Sequence, residues 1–465
     1  MATTPQECPV DHTAIPTQTN IDQLPTPPGS AGLPFIGETL AFVANPRRFI
    51  RQRQAKYGDI FYSNILGRNT IYILNPDANG WIFSGEGDYL QNQWTTNVQQ
   101  LLGDQCVTLL NGDEHKTRRA QLMPHFRHSV MRNFSPTIYN IAHRYFTDWT
   151  HYRQPITIFA EMQHLIFEIA ITLIMGNNNN INIPYLSQLF RTWLAGLFAL
   201  PINLPFTAFG KSLVAKEELL AIIEELVIER QQLDEQPNDI LGSLINIRDE
   251  NGQPLSTTAI VHEIQLLFFA GHDTTYNALS NLMLNLSQNP KVLARGRAEI
   301  KEANLTTPYT LDDLKNLPYL NQIINEGLRH TPPVAGAFRV MLRDQAYAGY
   351  RLPKDWVISL SIIGTHTDDS VWTAPDQFDP DRWSNERQEQ KNHQHNYIPF
   401  GGGPRVCLGQ NFALTELRVI LALLLDQYHW TPASNQDLTM SLIPLPRPKS
   451  GFKVTFTRYA VSSPH

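Results

Sequence analysis

Cysteine is scarce in this chain of 465 residues, with only Cys8, Cys106 and Cys407. An odd number of widely spaced cysteines does not build the disulfide framework of a small secreted domain. The first 20 residues also lack the charged and apolar regions of a signal peptide. These features indicate a reducing compartment, in which one thiol can be kept as a ligand.

Long apolar runs and long basic stretches are missing as well. Apolar runs such as residues 419–425 are much shorter than the roughly 20 residues that a membrane-spanning helix needs. Lysine and arginine number 37 against 43 acidic residues, a formal net charge of −6, and the basic clusters are short. This excludes nucleic acid as a main partner. We expect a soluble, cytoplasmic protein without a transmembrane anchor, able to touch a membrane peripherally.

The pattern of predicted elements indicates a mainly α protein with a small β region, an α+β fold. Residues 1–30 are rich in proline, threonine and glutamine and predict a poorly ordered lead-in to one domain over residues 31–465. Residues 59–74 predict a hairpin with its turn at 67–69. Residues 256–287 predict one helix of about 30 residues, roughly 45 Å long, enough to cross the molecule. Further helices are predicted at 319–329 and 410–427, and further strands at 338–342, 348–352 and 356–361.

The segment around Cys407 is the most informative part of the sequence. It fits Phe-x-x-Gly-x-Arg-x-Cys-x-Gly at every fixed position, from Phe400 to Gly409. A thiolate here lies near the start of the next helix, where free N–H groups and the helix dipole stabilise negative charge. A buried structural cysteine is the usual alternative, but it does not explain the flanking pattern. The segment therefore predicts a thiolate ligand to a large planar metal cofactor.

A polar segment, residues 270–275 (AGHDTT), interrupts the long predicted helix. Glycine there costs roughly 1 kcal/mol relative to alanine, and Asp273 and Thr274 compete for backbone hydrogen bonds. We therefore expect the helix to loosen locally and to open a groove beside a ligand. A solvent-facing polar stripe is the alternative, but the apolar residues 266–269 favour an interior position. A buried acid–hydroxyl pair can relay protons to a bound reactant.

Two shorter pairs become informative in this context. Glu326 and Arg329 lie three residues apart on one helical face, ahead of the segment 378–383. His115 and Arg119 lie four residues apart, so that both donors can hold one carboxylate. Each pair alone is also typical of a solvated helix surface.

Taken together, these motifs are similar to those of the cytochrome P-450 haem-thiolate monooxygenases, which the chain resembles over nearly its whole length. The matches are the Cys407 segment, the Glu326/Arg329 pair, residues 381–382 and residues 270–274. The resemblance implies the triangular cytochrome P-450 fold, with a long central helix over the haem. It implies haem b as cofactor, with a cysteine thiolate as the axial ligand of the haem iron.

The resemblance also assigns roles to individual residues. Cys407 would be the proximal iron ligand, and Thr274 and Asp273 would handle oxygen and its protons. Four basic side chains would bind the haem propionates: His115, Arg119, Arg339 and Arg405. His115 stands where many members have tryptophan. A buried ion-pair network that holds the cysteine loop would consist of Glu326, Arg329 and Arg382.

Two further segments narrow the resemblance. Residues 27–39 and 200–207 resemble the branch that holds retinoic-acid hydroxylases, plant steroid hydroxylases and their soluble cyanobacterial relatives, although Phe206 replaces that branch's glycine. This implies a lipophilic substrate, with a retinoid or other terpenoid as the preferred hypothesis. A fatty-acid or sterol hydroxylase of the same family stays open, as does a haem-thiolate isomerase or sensor that uses no external electrons.

Electrons are expected from a separate protein, because the sequence shows no nucleotide-binding signature. Gly85-Glu86-Gly87 lacks the third glycine of a dinucleotide fingerprint. We expect O2 as co-substrate, a ferredoxin or flavodoxin with its reductase as electron donor, and a monomeric enzyme. Residues 89–110 predict a lid over the haem and residues 190–209 a lipophilic channel, although each aromatic there also suits ordinary core packing.

Overall fold

The computed structural model describes residues 21–65, 67–176, 182–197 and 199–459. It is mainly helical, as predicted. In chain order the helices are α1 Thr39–Ala44, α2 Pro46–Tyr57, α3 Pro76–Ser84, α4 Thr96–Leu101, α5 Gly112–Leu122, α6 His128–Met131, α7 Ser135–Trp149, α8 Ile158–Met175, α9 Ile183–Leu197, α10 Ala208–Gln231, α11 Ile240–Ile245, α12 Thr257–Gln288, α13 Pro290–Ala303, α14 Leu311–Lys315, α15 Pro318–His330, α16 Ile362–His366 and α17 Gln410–Gln427.

The strands are short, and several of them form one mixed sheet. They are β1 Gly29–Ser30, β2 Ile60–Ile65, β3 Arg68–Ile73, β4 Leu90–Asn92, β5 Ile156–Thr157, β6 Gly336–Met341, β7 Gln345–Tyr347, β8 Tyr350–Leu352, β9 Val357–Ser361, β10 Tyr428–Pro432, β11 Met440–Ser441, β12 Arg447–Pro448 and β13 Lys453–Arg458. The six-stranded sheet has the order β1-β2-β3-β9-β6-β4. It joins strands from both ends of the chain, as predicted.

The described part of the predicted lead-in, residues 21–30, includes a strand. Residues 1–20 lie outside the described residues. Gly29 of β1 pairs in parallel with Tyr62 of β2, and a Cβ at Gly29 would lie 2.0 Å from the Tyr62 carbonyl oxygen. Only glycine allows this close approach of the two strands. Strand pairing therefore begins before residue 31, inside the segment predicted as lead-in.

The predicted hairpin is present with a tighter turn. In the antiparallel pair β2–β3, Ile65 is already opposite Arg68. Gly67 has a φ of 74°, which glycine adopts without strain. Arg68 and Asn69, predicted in the turn, therefore belong to β3.

The long central helix α12 agrees with the prediction to within one residue at each end. The Ser256 side chain caps it by accepting the Ala259 N–H at 3.1 Å, and Asn289 ends it before Pro290 starts α13. The helix runs unbroken through 270–275, so the predicted loosening is wrong. The reason is that Thr274 donates its hydroxyl to the carbonyl of its own helix one turn earlier, a bond compatible with helical geometry.

Helix α8 was not singled out in the sequence, although it is the most apolar long helix described. Over Ile158–Met175 its mean hydropathy is 1.6, so that length and composition alone would allow it to cross a membrane. However, 67% of this window is buried inside the protein, because α8 packs along α12. Burial on this scale is typical of the core helix of a globular protein.

The predicted ion-pair network is present and fully buried. The Glu326 carboxylate accepts hydrogen bonds from Arg329 at 2.7 and 2.8 Å and from Arg382 Nε at 3.1 Å. Arg329 also donates to the His366 carbonyl, and Trp383 Nε1 donates to Glu326. The network thus ties α15 to the segment that leads toward the cysteine loop.

Candidate active site

Cys407 lies in a glycine-rich loop that packs against α3. Its N–H donates to the Phe400 carbonyl at 2.9 Å. A Cβ at Gly402 would lie 2.4 Å from the ring of Phe83, and Gly403 has a φ of 62°. The glycines of the motif are therefore required by close packing and by a left-handed backbone.

The Cys407 thiol lies in a recess enclosed by protein. The residue is exposed, yet burial by the surrounding protein raises the pKa of its thiol. The Gly409 N–H, at the start of α17, and the Arg119 guanidinium both lower that pKa. The predicted stabilisation of negative charge is thus present, and burial outweighs it. A coordinated metal ion would hold such a sulfur as thiolate.

The four basic side chains predicted to bind propionates lie close together. Burial, Arg405 and Arg119 lower the pKa of His115 to about 4, and Arg339 acts in the same direction. His115 is therefore neutral at pH 7. Arg119 lies one turn further along α5, Arg339 is on β6, and Arg405 is in the cysteine loop. The fold brings residues more than 280 positions apart into one cluster.

An acidic partner of this cluster, Glu86, was missed in the sequence. Its Oε1 lies 2.8 Å from Arg405 Nε and its Oε2 lies 2.8 Å from Arg339 Nε, and only 7% of its side chain is exposed. The sequence offers no signal for this role, because no spacing links residue 86 to either arginine. Glu86 accepts a hydrogen bond from Arg405 Nε and forms an ion pair with Arg339.

The cluster fits the two propionates of haem b. Arg405 donates from Nη2 to Asn111 at 2.7 Å, while its buried Nη1 has no hydrogen-bond partner among the described residues. Three arginines and one glutamate leave a net charge of +2 beside the neutral His115. Two carboxylates would balance this charge, and the open thiol of Cys407 lies next to Arg119.

The polar segment of α12, residues 270–275, has open space beside it. Ala270 is exposed within an otherwise largely buried helix, and a Cβ at Gly271 would meet nothing within 4 Å. The Thr274 hydroxyl donates to the Ala270 carbonyl at 2.7 Å, whereas Asp273 Oδ1 lies 2.9 Å from His272 Nδ1. The predicted acid and hydroxyl are neighbours, but the Thr274 hydroxyl is bonded within its own helix, whereas Asp273 Oδ1 is close to His272 without a hydrogen bond.

A buried acid connects this segment to the helix after the cysteine loop. Glu416 of α17 is buried close to Thr275 of α12, and neither its carboxyl oxygens nor the Thr275 hydroxyl has a hydrogen-bond partner among the described residues. Burial raises the pKa of Glu416 well above its ordinary value, and the nearby Thr275 hydroxyl lowers that pKa only in part. Burial therefore favours the neutral form of this carboxyl, and α12 and α17 pack directly at this level.

The predicted lid is anchored to α12 through its main chain. Three side chains of α12 accept backbone N–H groups of the segment 101–107: His262 from Gln105 at 3.3 Å, Glu263 from Val107 at 2.9 Å and Gln265 from Gly103 at 2.9 Å. Glu263 also accepts a 2.9 Å bond from Arg118, yet burial raises the pKa of Glu263 to about 7. Polar residues on an apolar helix face were the signal for these anchors, and sequence analysis did not use it.

Comparisons with known proteins agree with this geometry. A family model described as Cytochrome P450 matches residues 27–456. The putative cytochrome P450 120 of Synechocystis sp. is 37% identical over 440 residues, covering 95% of this chain and 98% of the relative. Cytochrome P450 26A1 of Danio rerio is 31% identical and covers 94% of this chain and 91% of the relative.

Solved structures match over the same extent. The retinoic acid-bound cyanobacterial CYP120A1 has a TM-score of 0.89 at 37% identity, covering 94% of this chain and 99% of that one. The haem domain of cytochrome P450DA has a TM-score of 0.85 at 23% identity, covering 94% and 98%, which supports the fold alone.

Both kinds of comparison agree with the predicted fold, cofactor and type of reaction. The family uses haem b with an axial cysteine thiolate, O2, a redox partner and a lipophilic substrate. The chain belongs to the cytochrome P450 family of haem-thiolate monooxygenases.

Proposed function

We propose that this enzyme hydroxylates a retinoid or another terpenoid. The observation that carries the proposal is the 37% identity to the retinoic acid-bound cyanobacterial CYP120A1 over 94% of this chain. The relatives named cytochrome P450 26A1 belong to the retinoic-acid hydroxylases that the sequence resembles. A fatty-acid or sterol hydroxylase is the second candidate, since fatty acids and sterols are lipophilic, as retinoids are.

Cys407 is the axial ligand of the haem in this proposal, and the basic cluster holds the propionates. Arg119, Arg339 and Arg405 supply the charge, while the neutral His115 supplies a hydrogen bond. The open thiol and the unpartnered Arg405 Nη1 support these roles. When bound, the haem supplies oxygen activation and insertion of oxygen into a C–H bond.

In this proposal Asp273 and Thr274, on α12, transfer protons to the reacting oxygen. The Thr274 hydroxyl lies at the open stretch of α12 and can turn from the Ala270 carbonyl to accept and pass on a proton. Asp273 is partly exposed and can exchange protons with water. An acid–hydroxyl pair of this kind also disfavours an isomerase or sensor, which needs no proton delivery.

The anchored lid shapes the substrate side of the recess. Asn97 in α4 donates to the Gly196 carbonyl of α9 at 3.0 Å, and Trp193 donates to the Leu101 carbonyl at 3.0 Å. Together with the bonds to α12, these contacts make α4, α9 and α12 one continuous wall. Phe190 and Trp193 are buried inside this wall, where Trp193 packs against Phe269, and the partly exposed Phe269 can contact a long apolar substrate.

The enzyme receives its electrons from a separate protein in this proposal. A ferredoxin or flavodoxin with its reductase supplies the two electrons. The enzyme acts as a monomer in the cytoplasm, able to touch a membrane peripherally. The single catalytic domain predicted over residues 31–465 is extended at its start to include β1.

A substrate-binding screen tests the proposal. Purified holoenzyme is titrated with retinoic acid, carotenoid fragments, sterols and fatty acids, and the shift of the Soret band is recorded, followed by product analysis with a ferredoxin system. We expect shifts and hydroxylated products with retinoids. Ala270→Phe should abolish the shift, because Ala270 borders the recess, whereas the matched Ala294→Phe on the exposed face of α13 should not. Shifts with fatty acids alone would refute the retinoid assignment.

A further inference from the structure

His366, on α16, is a fully buried histidine whose two ring nitrogens contact the main chain of two distant segments. Its Nδ1 lies 3.2 Å from the Arg329 carbonyl oxygen, and its Nε2 accepts the Ile398 N–H at 3.0 Å. A carbonyl oxygen only accepts hydrogen bonds and an N–H only donates them, so the ring proton is on Nδ1 and the lone pair is on Nε2. Both contacts fit a single neutral tautomer, and each nitrogen has its partner.

The charge state of His366 agrees with this tautomer. Burial is the main cause that lowers the pKa of the imidazole to about 3, and the nearby Arg329 guanidinium acts in the same direction. The ring is therefore neutral at pH 7 and keeps the lone pair that receives the Ile398 N–H. The Tyr397 ring stacks on the imidazole, with the two centroids 5.5 Å apart, which helps to hold its plane.

The Arg329 carbonyl lies in the last turn of α15, where the local chain cannot supply a donor. A helical or 3₁₀ bond to this carbonyl would come from the N–H of residue 333 or 332, and both residues are proline, which has no N–H. His366 supplies the donor from outside the helix. In return, Arg329 donates from Nη1 to the His366 carbonyl at 2.8 Å. Reciprocal bonds therefore join His366 to a member of the buried ion-pair network.

Ile398, the other partner of His366, lies at the entrance to the cysteine loop and is buried. Its carbonyl accepts the Gly401 N–H at 2.9 Å, so both main-chain groups of Ile398 are bonded. Two residues later, the Phe400 carbonyl accepts the Cys407 N–H at 2.9 Å. The segment that His366 holds is thus the one on which the backbone of Cys407 itself is hung.

We propose that His366 is a positioning residue that couples the buried ion-pair network to the cysteine loop and so keeps Cys407 in place as the thiolate ligand. The inference rests on the proposed role of Cys407 as axial ligand. The network's own side chains hold α15 and the segment around Arg382, and the imidazole extends this hold to Ile398 by a direct hydrogen bond. Histidine suits the task because its rigid ring presents one donor and one acceptor at a fixed separation.

Two amide variants separate the two contacts of His366. The amide nitrogen of asparagine can take the place of Nδ1, whereas the amide oxygen of glutamine can take the place of Nε2. His366→Asn therefore keeps the bond to Arg329 and loses the bond to Ile398, and the fraction of the reduced CO complex with the thiolate-type Soret band should fall at least twofold. The band should persist in His366→Gln and in Ser135→Ala, which removes a buried bond to the Tyr309 carbonyl. A full thiolate-type band in His366→Asn would overturn the positioning role.

Hydrogen exchange of the holoenzyme, read by mass spectrometry at single-residue resolution, tests the contact independently of the haem spectrum. The Ile398 amide should exchange at least tenfold more slowly in the wild type than in His366→Asn. Wild-type exchange at the rate of an unstructured peptide would overturn the contact, even if His366→Asn does not fold. If Cys407→Ser keeps the thiolate-type band while the Ile398 amide stays protected, the axial-ligand role fails and the link from His366 to the loop stands, so the two proposals fail separately.

Discussion

Glu86 Oε1 lies 2.8 Å from Arg405 Nε. Arg405 itself precedes Cys407, the proposed thiolate ligand, by two residues. Glu86→Gln removes the single negative charge of the basic cluster. A negative charge stabilises an oxidised metal centre, so loss of the Glu86 charge should make the reduction potential of the bound haem iron more positive, on the order of tens of millivolts. Spectroelectrochemistry measures it. Asp88→Asn, in an exposed pair with Arg343, is the control, and equal potentials in all three proteins would contradict the assignment.

Cys407→Ser should remove the thiolate-type Soret band of the reduced CO complex. The serine hydroxyl has no thiolate to donate to the metal. Cys106→Ser provides the control, since Cys106 is buried and burial raises the pKa of its thiol to about 12. A normal band in Cys407→Ser, measured by CO difference spectroscopy, would end the ligand assignment.

Thr274→Ala should uncouple electron use from product formation. The methyl side chain cannot pass protons, so electrons are consumed while product per electron falls roughly tenfold, which is less than the roughly 10²–10⁴-fold that complete loss of a general acid or base costs. The ratio of product to electron donor oxidised measures this. Thr192→Ala, which removes an equivalent bond to the Gln188 carbonyl on α9, should stay coupled. Full coupling in Thr274→Ala would disprove the relay.

Glu326→Gln should destabilise the fold strongly. It leaves Arg329 and Arg382, both fully buried, without their shared carboxylate. Loss of one partner in a buried ion pair costs about 3–5 kcal/mol. Asp312→Asn, which breaks an exposed pair with Arg132, should change stability by about 0–1 kcal/mol. Denaturant unfolding of the two variants gives the comparison, and similar small losses in both would refute a structural role for the network.

Glu263 should make stability depend on pH. Burial raises its pKa from 4.5 to about 7, so the folded state binds this proton more tightly than the unfolded state. The contribution is complete below about pH 4.5 and is lost as the pH rises to about 7. Glu263→Gln cannot ionise, so its stability relative to wild type should rise between pH 5 and 8, by up to about 3 kcal/mol. Unfolding curves at several pH values test this, with the exposed Glu250→Gln as control. A difference that does not change with pH would contradict it.

Much of the fold was predictable because its signals are local. Helix α12 begins after the cap at Ser256 and ends at Asn289, which Pro290 follows. The turn at Gly67 connects the two strands of the hairpin. Such signals depend on backbone geometry within a few residues. The error at 270–275 arose because helix propensity was applied to a segment whose flanks are buried, and tertiary packing overrides propensity there.

The residues of the site were predictable only where they belong to a motif with fixed spacing. Cys407, Arg405 and the pair Glu326/Arg329 lie in fixed spacings that a single sequence displays. Glu86 and Glu263 lie in no such pattern, because their partners are distant in the chain and are brought near by packing alone. Burial, which lowers the pKa of His115 and raises the pKa of Glu416, is likewise a property of the fold and not of local sequence.

The anchoring of the segment 101–107 has a consequence for how this enzyme can diversify. The bonds from α12 reach the backbone N–H groups of Gly103, Gln105 and Val107, and two of these residues have side chains that the bonds do not involve. Exchange of the Gln105 or Val107 side chain therefore leaves these three main-chain bonds available, although Gln105 also accepts a 3.4 Å bond from Ser256 and Val107 is buried in the core. Mutational drift, or a designed library at these positions, can alter the packing beside α12 while the polypeptide keeps its course.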